Sequence, residues 1–221
     1  MNAESGSGAS RRPAPPRRAS SRVAPPHRSA ARTREHVLAV AGQAFYADGI
    51  HATGIDAIAS RAGVATMTLY RVFASKDDLV AAYVEDSGKR YRALLELAAA
   101  PHARTPRERI LAVFDAFAED IGSGSCRGCP FLMVLAEYPD PDSPAHVAAV
   151  AHKAWLRDLF RALVGELAST TPIRDPQALG DQLALLAEGV YGSMQALGPH
   201  GPAAHGRATA RALLDAARVP Q

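Results

Sequence analysis

The chain has 221 residues, enough for one domain of moderate size or two small ones with a real hydrophobic core. Hydrophobic residues make up 48% of it, alanine is frequent and β-branched residues are sparse, a balance that favours an all-helical (all-α) protein. It contains no run of about 18 or more apolar residues, so no membrane-spanning helix is expected.

The formal net charge of +3 is distributed unevenly. Residues 1–29 contain six arginines and one acidic residue, Glu4, so the rest of the chain carries a slight negative charge. Any binding of nucleic acid must therefore depend on local geometry and on this N-terminal arm. The arm is rich in Pro, Ser, Ala and Arg, has almost nothing to bury and is predicted to be disordered. It is either a basic arm that contacts the DNA backbone or a solvated tail.

Helix 1 is predicted from about Ala31 to Ala47, where an apolar stripe at helical spacing precedes Asp48-Gly49. The next stretch, Thr53–Phe73, has the pattern of two short helices joined by a tight turn. Thr53 is predicted to cap the first of them with its side-chain oxygen, and Gly63 supplies the left-handed backbone of the turn. The residues predicted to face inward are Ile58, Ala59, Ala62, Val64, Leu69 and Val72.

The run GIDAIASRAGVATMTLYRVFASKDDLV resembles the DNA-binding signature of TetR-family transcriptional repressors. The resemblance implies that the second short helix enters the major groove of double-stranded DNA. It assigns contacts with bases to Thr66, Met67 and Thr68. It assigns contacts with phosphates to Thr53, Tyr70 and Lys76.

The role of two arginines stays open. Arg71 faces outward on this second helix and is either a phosphate contact or a solvated surface charge. The same alternatives hold for Arg61 on the helix before it. Many members of the family have a small residue where this chain has Met67. The operator sequence is therefore expected to differ at that point, where a methionine can contact a thymine methyl group.

Six further helices are predicted after residue 75. Their starts and ends are marked by caps, prolines and glycines: after Ser75 through Leu95, from Thr105, from Pro130 to Pro139, from Ser143, from Asp175 to Gly198, and from about Ala203 to Arg218. On the fourth of these, Val147 and Val150 are predicted to face inward. The predicted division is a disordered arm (1–29), a helix-turn-helix DNA-binding domain (30–76) and a helical domain for effector binding and dimerisation (77–221).

The last two helices are expected to form a homodimer contact. Helix 8 has one face of small residues, made of Gly189, Gly192, Ser193 and Ala196, and helix 9 is rich in alanine. Operator reading by a helix-turn-helix normally needs two copies related by a two-fold axis, and the resemblance to the family favours a dimer through residues 176–218. The alternative is that these faces pack within one chain.

A ligand pocket is predicted between helices 4 and 8, where aromatic and soft side chains are concentrated. Its predicted lining consists of aromatic and methionine side chains with three polar groups among them: Phe114, Phe117, Phe131, Met133, Trp155, Met194, Glu137, His152 and Tyr191. Single aromatic residues at helical spacing are more often core residues. In the family that the chain resembles, a small effector bound in this region lowers the affinity for DNA.

Cys126 and Cys129 are the two cysteines of the chain. They are too few for a zinc site, so no metal is predicted, and they are either a thiol switch or inert thiols in a capping loop. No signal-peptide core is recognised, and a cytoplasmic location with reduced thiols is expected. No catalytic motif is found, so neither an enzyme nor a cofactor is predicted.

Three functions follow from these observations. The first is a ligand-responsive repressor that an unidentified small molecule releases from a palindromic operator. The second is a redox-sensing regulator that uses Cys126 and Cys129. The third is a non-specific DNA-binding protein that acts chiefly through residues 1–29.

Overall fold

The structure of this chain is a computed structural model that describes residues 29–102 and 104–219. The described residues form nine α-helices and one short 3₁₀ helix, so the all-α prediction is confirmed. The helices are α1 (Ala30–Asp48), α2 (Ile55–Ala62), α3 (Thr66–Val72), α4 (Lys76–Ala98), α5 (Pro106–Gly122), α6 (Pro130–Glu137), α7 (Pro144–Ala168), α8 (Pro176–Leu197), the 3₁₀ helix (Pro202–His205) and α9 (Gly206–Ala216). The predicted arm, residues 1–28 in particular, lies outside the described residues.

Four of the helices after residue 75, namely α4, α5, α7 and α8, start at a side-chain cap. The Ser75 hydroxyl accepts a hydrogen bond from the Asp78 backbone N–H at 3.0 Å, and Asp175 does the same for Ala178 at 2.9 Å. Thr105 forms a full capping box with the helix residue three positions on. These caps satisfy backbone donors that the first turn of a helix leaves without partners.

Helices α1 to α3 form a small bundle that we call the head. Ile58 and Leu69 are fully buried between the three helices, together with Val37 and Phe45 of α1. Gly63 has a φ of +64° at the turn between α2 and α3, the left-handed conformation that the sequence predicted for it. The helix-turn-helix arrangement of Thr53–Phe73 is therefore confirmed.

Helix α4 connects the head to the remaining helices, and we call α4 to α9 the body. The first turns of α4 pack on α1, where the rings of Phe45 and Tyr83 meet edge to face at 5.7 Å. Its second half packs against α5, α6 and α7. The centre of the body is closed by Phe114 and Phe160, whose ring centroids are 5.5 Å apart. One continuous core therefore runs from the head into the body.

The predicted inward face of α7 is wrong at its start. Val147 and Val150 are exposed, whereas Ala145, Ala149 and His152 are buried. The small alanine side chains let the first half of α7 approach its neighbours closely, and the valines are left on the outer side.

Helix α9 is shorter than predicted because its first turn is 3₁₀ rather than α. Gly206 begins the α-helical part at a point of close contact with α8. A Cβ at this position would lie 2.6 Å from Cγ2 of Val190, so only glycine fits without displacing α8.

Candidate nucleic-acid interface and candidate ligand cavity

The outer face of α3 carries the predicted base contacts. Met67 is 74% exposed and Tyr70 is 45% exposed, while Leu69 between them is fully buried in the head. The buried side of the helix therefore fixes the outer side chains in place. Met67 stands free at the first turn, where an apolar side chain can meet a thymine methyl group in the major groove.

The two threonines of α3 are less exposed than Met67. Thr66, the first residue of the helix, donates its hydroxyl proton to Oδ1 of Asp56 on α2 at 2.8 Å. Thr68 is half-buried. The Thr66–Asp56 hydrogen bond joins the starts of α2 and α3, so it fixes the angle at which α3 is presented as well as offering a polar atom at the surface.

The predicted phosphate contacts lie beside this face, with one exception among the basic residues. Lys76 is the first residue of α4 and is half-buried, and Arg71 is exposed at the end of α3. Arg61 forms an ion pair with Asp48 at 2.7 Å across the outer surface of α1 and α2. That pair gives Arg61 a partner within the chain, which favours the interpretation of Arg61 as a surface charge.

The prediction that Thr53 caps α2 is wrong. The N-cap residue is Gly54, and the Thr53 hydroxyl donates to the carbonyl oxygen of Gly49 at 2.7 Å. Thr53 is 3% exposed. Its side chain therefore stabilises the turn between α1 and α2, and its one hydroxyl proton is donated to Gly49 and not to a phosphate oxygen. Local hydrogen bonds to the backbone compete with capping for a threonine hydroxyl.

One face of α8 and one face of α9 are exposed and made mainly of small residues. On α8 this face includes Leu185, which is 73% exposed, and the exposed Gly189 and Ala196. Gly192 and Ser193 between them are half-buried, and a Cβ built on Gly192 meets no atom within 4 Å. On α9, Ala208 and Ala212 are exposed. The face that the sequence assigned to a dimer contact is therefore not packed within the chain.

Four of the residues predicted to bind a ligand line one enclosed cavity between α4, α5, α6, α7 and α8. They are Phe117, Phe131, His152 and Tyr191. The cavity has a volume of only about 10 Å³, room for a single water molecule. Its remaining lining includes polar groups that were not predicted to bind a ligand: Tyr91, Cys129, Lys153 and Glu188.

Five other residues of the predicted lining lie outside this cavity, and two of them, Met133 and Met194, are half-buried. Phe114 is 1% exposed and packs against Phe117 and Phe160, so it lies in the core beside the cavity and not in its lining. Trp155 is half-buried, and its ring lies 5.6 Å from that of His152 at the edge of the cavity residues. Glu137 is at the opposite end of α6.

Glu137, which was predicted as a ligand group, contacts the head and is not part of the cavity lining. Its carboxylate accepts the backbone N–H of Ile50 at 2.9 Å and that of His51 at 2.6 Å. The His51 ring stacks on Tyr138 with centroids 5.3 Å apart, and the Tyr138 hydroxyl donates to Asp77 at the start of α4. The end of α6 is therefore fixed to the loop between α1 and α2.

The loop before α6 also contacts the head. The Tyr46 hydroxyl donates to the carbonyl oxygen of Gly128 at 2.9 Å and accepts the backbone N–H of Arg127 at 2.6 Å. The Arg127 guanidinium donates to the Tyr46 carbonyl oxygen. Burial raises the pKa of the Cys126 thiol in this loop, which keeps it protonated. The loop therefore holds α1, and Arg127 is directed to α1.

Two tyrosines of the cavity share one acceptor, Asp120. The hydroxyls of Tyr91 and Tyr191 donate to its Oδ2 at 3.2 and 2.9 Å. Burial, together with the nearby Asp120 carboxylate, raises the pKa of both phenols, so both remain protonated donors. Asp120 was not predicted, although its position three residues after Phe117 on α5 places it near the inward face of the helix.

Lys153 adds a positive charge to the same region. Its Nζ donates to Oε2 of Glu188 at 2.6 Å and to Sγ of Cys129 at 3.1 Å. The ion pair joins α7 to α8 beside the cavity. No local pattern predicts this ion pair, because its two residues are 35 positions apart.

His152 is the most unusual polar residue of the cavity. It is 4% exposed, and its ring stacks on that of Phe131 at 3.7 Å with an angle of 17° between the planes. Burial, together with the positive charges of Lys153 and Arg92, lowers its pKa to about 3. The imidazole is therefore neutral at ordinary pH. Its Nδ1 is buried and has no hydrogen-bond partner among the described residues.

The lowered pKa of His152 predicts that the protein loses stability in mild acid. The unfolded histidine titrates near 6.5 and the folded one near 3, so unfolding below pH 6.5 takes up a proton. Its contribution is complete above pH 6.5 and is lost as the pH falls toward 3. Between pH 7 and pH 5 the free energy of unfolding is expected to fall by about 2 kcal/mol through this residue.

Urea unfolding at both pH values checks this prediction. In His152→Leu the extra loss between pH 7 and pH 5 should disappear, whereas in His200→Leu, which changes an exposed histidine, it should remain. An equal pH dependence in the parent protein and His152→Leu would contradict it.

A second cavity of about 270 Å³ lies between α1, α4 and the start of α6 and is more open to solvent. Tyr46, Tyr83, Arg90 and Tyr91 contribute to its walls. None of the residues predicted to bind a ligand lines it. Among the described residues, no helix is both long and apolar enough to cross a membrane.

Known proteins resemble this chain in sequence and in the arrangement of their helices. The sequence model of the bacterial regulatory proteins of the tetR family matches residues 37–83. A TetR-family transcriptional regulator from Streptomyces coelicolor is 33% identical with a TM-score of 0.78, over 85% of this chain and 96% of that one. A protein of Streptomyces avermitilis assigned as a TetR transcriptional regulator is 34% identical with a TM-score of 0.71, over 84% and 97%.

The similarity extends to a curated protein. The HTH-type transcriptional regulator YjdC of Escherichia coli is 27% identical over 164 residues, which are 73% of this chain and 82% of YjdC. Because the two Streptomyces proteins exceed 30% identity over nearly their whole length, the similarity covers head and body alike. The chain belongs to the TetR family of transcriptional regulators.

Proposed function

We propose that this protein is a homodimeric repressor that a small-molecule effector releases from a palindromic operator. The observation that carries the proposal is the outer face of α3, where Met67 and Tyr70 are exposed on a helix whose inner side is buried. TetR-family regulators bind DNA and act as dimers. The head of this chain offers the matching element, a rigid helix with outward polar and apolar side chains.

Binding to DNA must come from a few contacts, because the chain outside residues 1–29 is slightly acidic. In our proposal Met67, Thr66 and Thr68 contact bases, and Tyr70, Arg71 and Lys76 contact phosphates. Thr53 is left out because its hydroxyl is buried and donates to Gly49. Base contacts set which sequence is bound, whereas phosphate contacts strengthen binding to any sequence.

This division of roles predicts two different mutant phenotypes. Tyr70→Ala and Lys76→Ala should each weaken binding to selected operator DNA and to random DNA alike, by about tenfold for a loss of ~1.4 kcal/mol. Met67→Ala should instead change the preferred sequence, because an apolar contact with a base edge is lost.

The measurement starts from the DNA that the parent protein selects out of a random-sequence pool. Gel-shift titrations of the three variants then give affinities for that DNA and for random DNA. Lys89→Ala, which changes an exposed lysine in the second half of α4, serves as the control for a general loss of positive charge. Tyr70→Ala and Lys76→Ala proteins that bind as tightly as the parent would overturn the proposed interface.

The dimer contact is proposed on the small-residue faces of α8 and α9. Their exposure supports it, because an exposed apolar stripe on a helix of a regulatory protein is typical of an interface. Small side chains let two helices approach closely, so two copies of α8 and α9 can form a four-helix contact about a two-fold axis.

The effector site is proposed at the cavity around His152. It is lined by α4 and α6, both of which also contact the head: α4 through Tyr83 and Phe45, and α6 through Glu137. A ligand that enlarges this cavity must displace one of these helices. Such a displacement changes the orientation of the head. The ligand then binds more tightly to the conformation that has low affinity for DNA, which is what release from DNA requires.

The two other functions remain less supported. A thiol switch at Cys126 is disfavoured by burial, which raises the pKa of that thiol, and by the use of the loop to hold α1. Binding through residues 1–29 alone concerns residues outside the described part. Deleting that arm should lower affinity and salt dependence in our proposal, and abolish binding in the alternative.

A further inference from the structure

Two buried side-chain nitrogens among the described residues have no hydrogen-bond partner: Nε of Arg92 and Nδ1 of His152. A folded protein rarely leaves such atoms unsatisfied, because each loses its hydration without a replacement. An unsatisfied buried donor in a binding protein is a place where a ligand atom can gain a full hydrogen bond. These two nitrogens therefore indicate which hydrogen-bonding groups a ligand would carry.

The two nitrogens belong to one region of the molecule. A Cβ built on Gly88 of α4 would lie 3.8 Å from Nδ1 of His152, so this nitrogen faces α4 one turn before Arg92. The ring of Trp155 lies 5.6 Å from the His152 ring and 5.4 Å from Cζ of Arg92. Trp155 thus borders both groups.

The other polar groups near the cavity already have partners. The phenols of Tyr91 and Tyr191 donate to Asp120, and Lys153 is neutralised by Glu188 at 2.6 Å. Arg92, in contrast, is a permanent positive charge whose Nε lacks an acceptor. The missing group must accept hydrogen bonds, and a negative charge on it would complement the guanidinium.

We propose that the effector is a small organic acid whose carboxylate binds between Arg92 and His152 and whose flat apolar part packs against Phe131 and Trp155. The inference rests on the proposed function, because it names the ligand class of the same site. A carboxylate accepts from Arg92 Nε and from His152 in the tautomer that carries its proton on Nδ1. The stacked rings of Phe131 and His152 offer a flat apolar wall to the rest of the molecule.

The closed cavity of about 10 Å³ means that the ligand must displace side chains as it enters. Trp155 is half-buried and rests on Arg92 and His152, so it is the large side chain that an entering ligand would move. It is also the only tryptophan of the chain. Its fluorescence therefore reports binding at this site without any label.

The experiment titrates the full-length protein with benzoate, cinnamate and hexanoate, each beside its uncharged primary amide, and follows Trp155 fluorescence. We expect saturable changes with at least one acid, and an affinity at least about tenfold higher than that of its amide, since a charge-assisted hydrogen bond is lost in the amide. Equal affinities of acid and amide, or no saturable change with any of the three acids, would overturn the proposal.

Two variants test the residues. Arg92→Gln should lower the affinity for the acid at least about tenfold and leave that for the amide nearly unchanged. Arg90→Gln is the matched control, because Arg90 lies on the same helix with an exposed side chain paired to Asp86. His152→Phe keeps the stacked ring and removes its two nitrogens. This variant replaces Arg92→Gln in the experiment if Arg92→Gln does not fold.

Operator binding by the parent protein is measured separately, on DNA selected from a random pool. Selective binding of acids without any operator binding would leave the carboxylate site standing and refute the proposed repressor. Operator binding that persists while Arg92→Gln binds the acids as tightly as the parent does would refute the carboxylate site alone.

Discussion

Gly189→Glu is expected to convert the dimer into a monomer and to lower operator affinity by at least about 100-fold. A single α3 helix reads only a few base pairs, so specific binding depends on two heads held at a fixed spacing by the dimer contact. A buried carboxylate without a partner at the centre of that contact costs several kcal/mol, about 100-fold or more in the dimer constant.

The choice of Gly189 follows from its surroundings. A Cβ built at this position meets no atom of its own chain within 4 Å, and the residue is exposed. Gly189 lies on the α8 face that we propose as the dimer contact, where Gly192, Ser193 and Ala196 follow it along the helix. In our proposal α8 of a second copy approaches this face closely, so a long charged side chain at Gly189 would enter the contact.

Sedimentation velocity and gel shifts with selected DNA measure the two effects. Gly165→Glu is the control, because Gly165 is also exposed, in the last turn of α7, and a Cβ built there meets no atom within 4 Å. It should remain a dimer and bind DNA. If Gly189→Glu is dimeric at the concentrations at which the parent is dimeric, the proposed face of α8 is not the contact.

The head was predictable because its signals are local. Ile58, Ala62 and Leu69 lie within a stretch of 12 residues. The spacing of its apolar residues predicts two helices joined by a turn, with Gly63 in the left-handed conformation. The caps at Ser75, Thr105 and Asp175 are local as well, each a hydrogen bond between a side chain and a backbone N–H three residues later. Such short-range rules decide where helices start.

The wrong predictions concern residues for which local sequence patterns allow two conformations or two orientations equally well. On α7 the valines and the alanines are both apolar, and only the closeness of the neighbouring helices decided for Ala145 and Ala149. Thr53 had a choice between capping and a bond to Gly49 four residues earlier, and the tight turn favoured the latter.

The candidate site was predicted in part for the same reason. Phe117, Phe131, His152 and Tyr191 lie on four helices, and they were predicted from the concentration of aromatic side chains and from the few polar groups among them. The polar partners depend on pairs that are far apart in sequence, such as Asp120 with Tyr191, 71 positions later. Glu137 is the clearest case, because the backbone groups it binds precede it by 87 and 86 positions.

Glu137→Ala is expected to lower the free energy of unfolding by about 3 kcal/mol, since two charge-assisted hydrogen bonds to backbone N–H groups are lost. The N–H of Ile50 belongs to a residue that is 2% exposed, and without the carboxylate it has no replacement acceptor from solvent. Glu137→Gln keeps one acceptor oxygen and should show a smaller loss. Glu119→Ala, which changes an exposed glutamate on α5, should have little effect.

The local readout is hydrogen exchange at the backbone amides of Ile50 and His51. Their protection should fall about 100-fold in Glu137→Ala, because opening of the loop between α1 and α2 no longer breaks a bond to α6. Protection of Leu69 in the core of the head should fall less. If the Ile50 and His51 amides exchange as slowly as in the parent, the contact does not hold the loop.

The same variant tests how the body controls the head. The cavity reaches α6 at Phe131, and Glu137 ends that short helix two turns later, so a shift of α6 is passed on to the loop before α2. In Glu137→Ala an effector should still bind, as seen by Trp155 fluorescence, but should release operator DNA at least about tenfold less effectively, a coupling loss of ~1.4 kcal/mol. Unchanged release would mean that the signal reaches the head through α4 alone, by way of Tyr83 and Phe45.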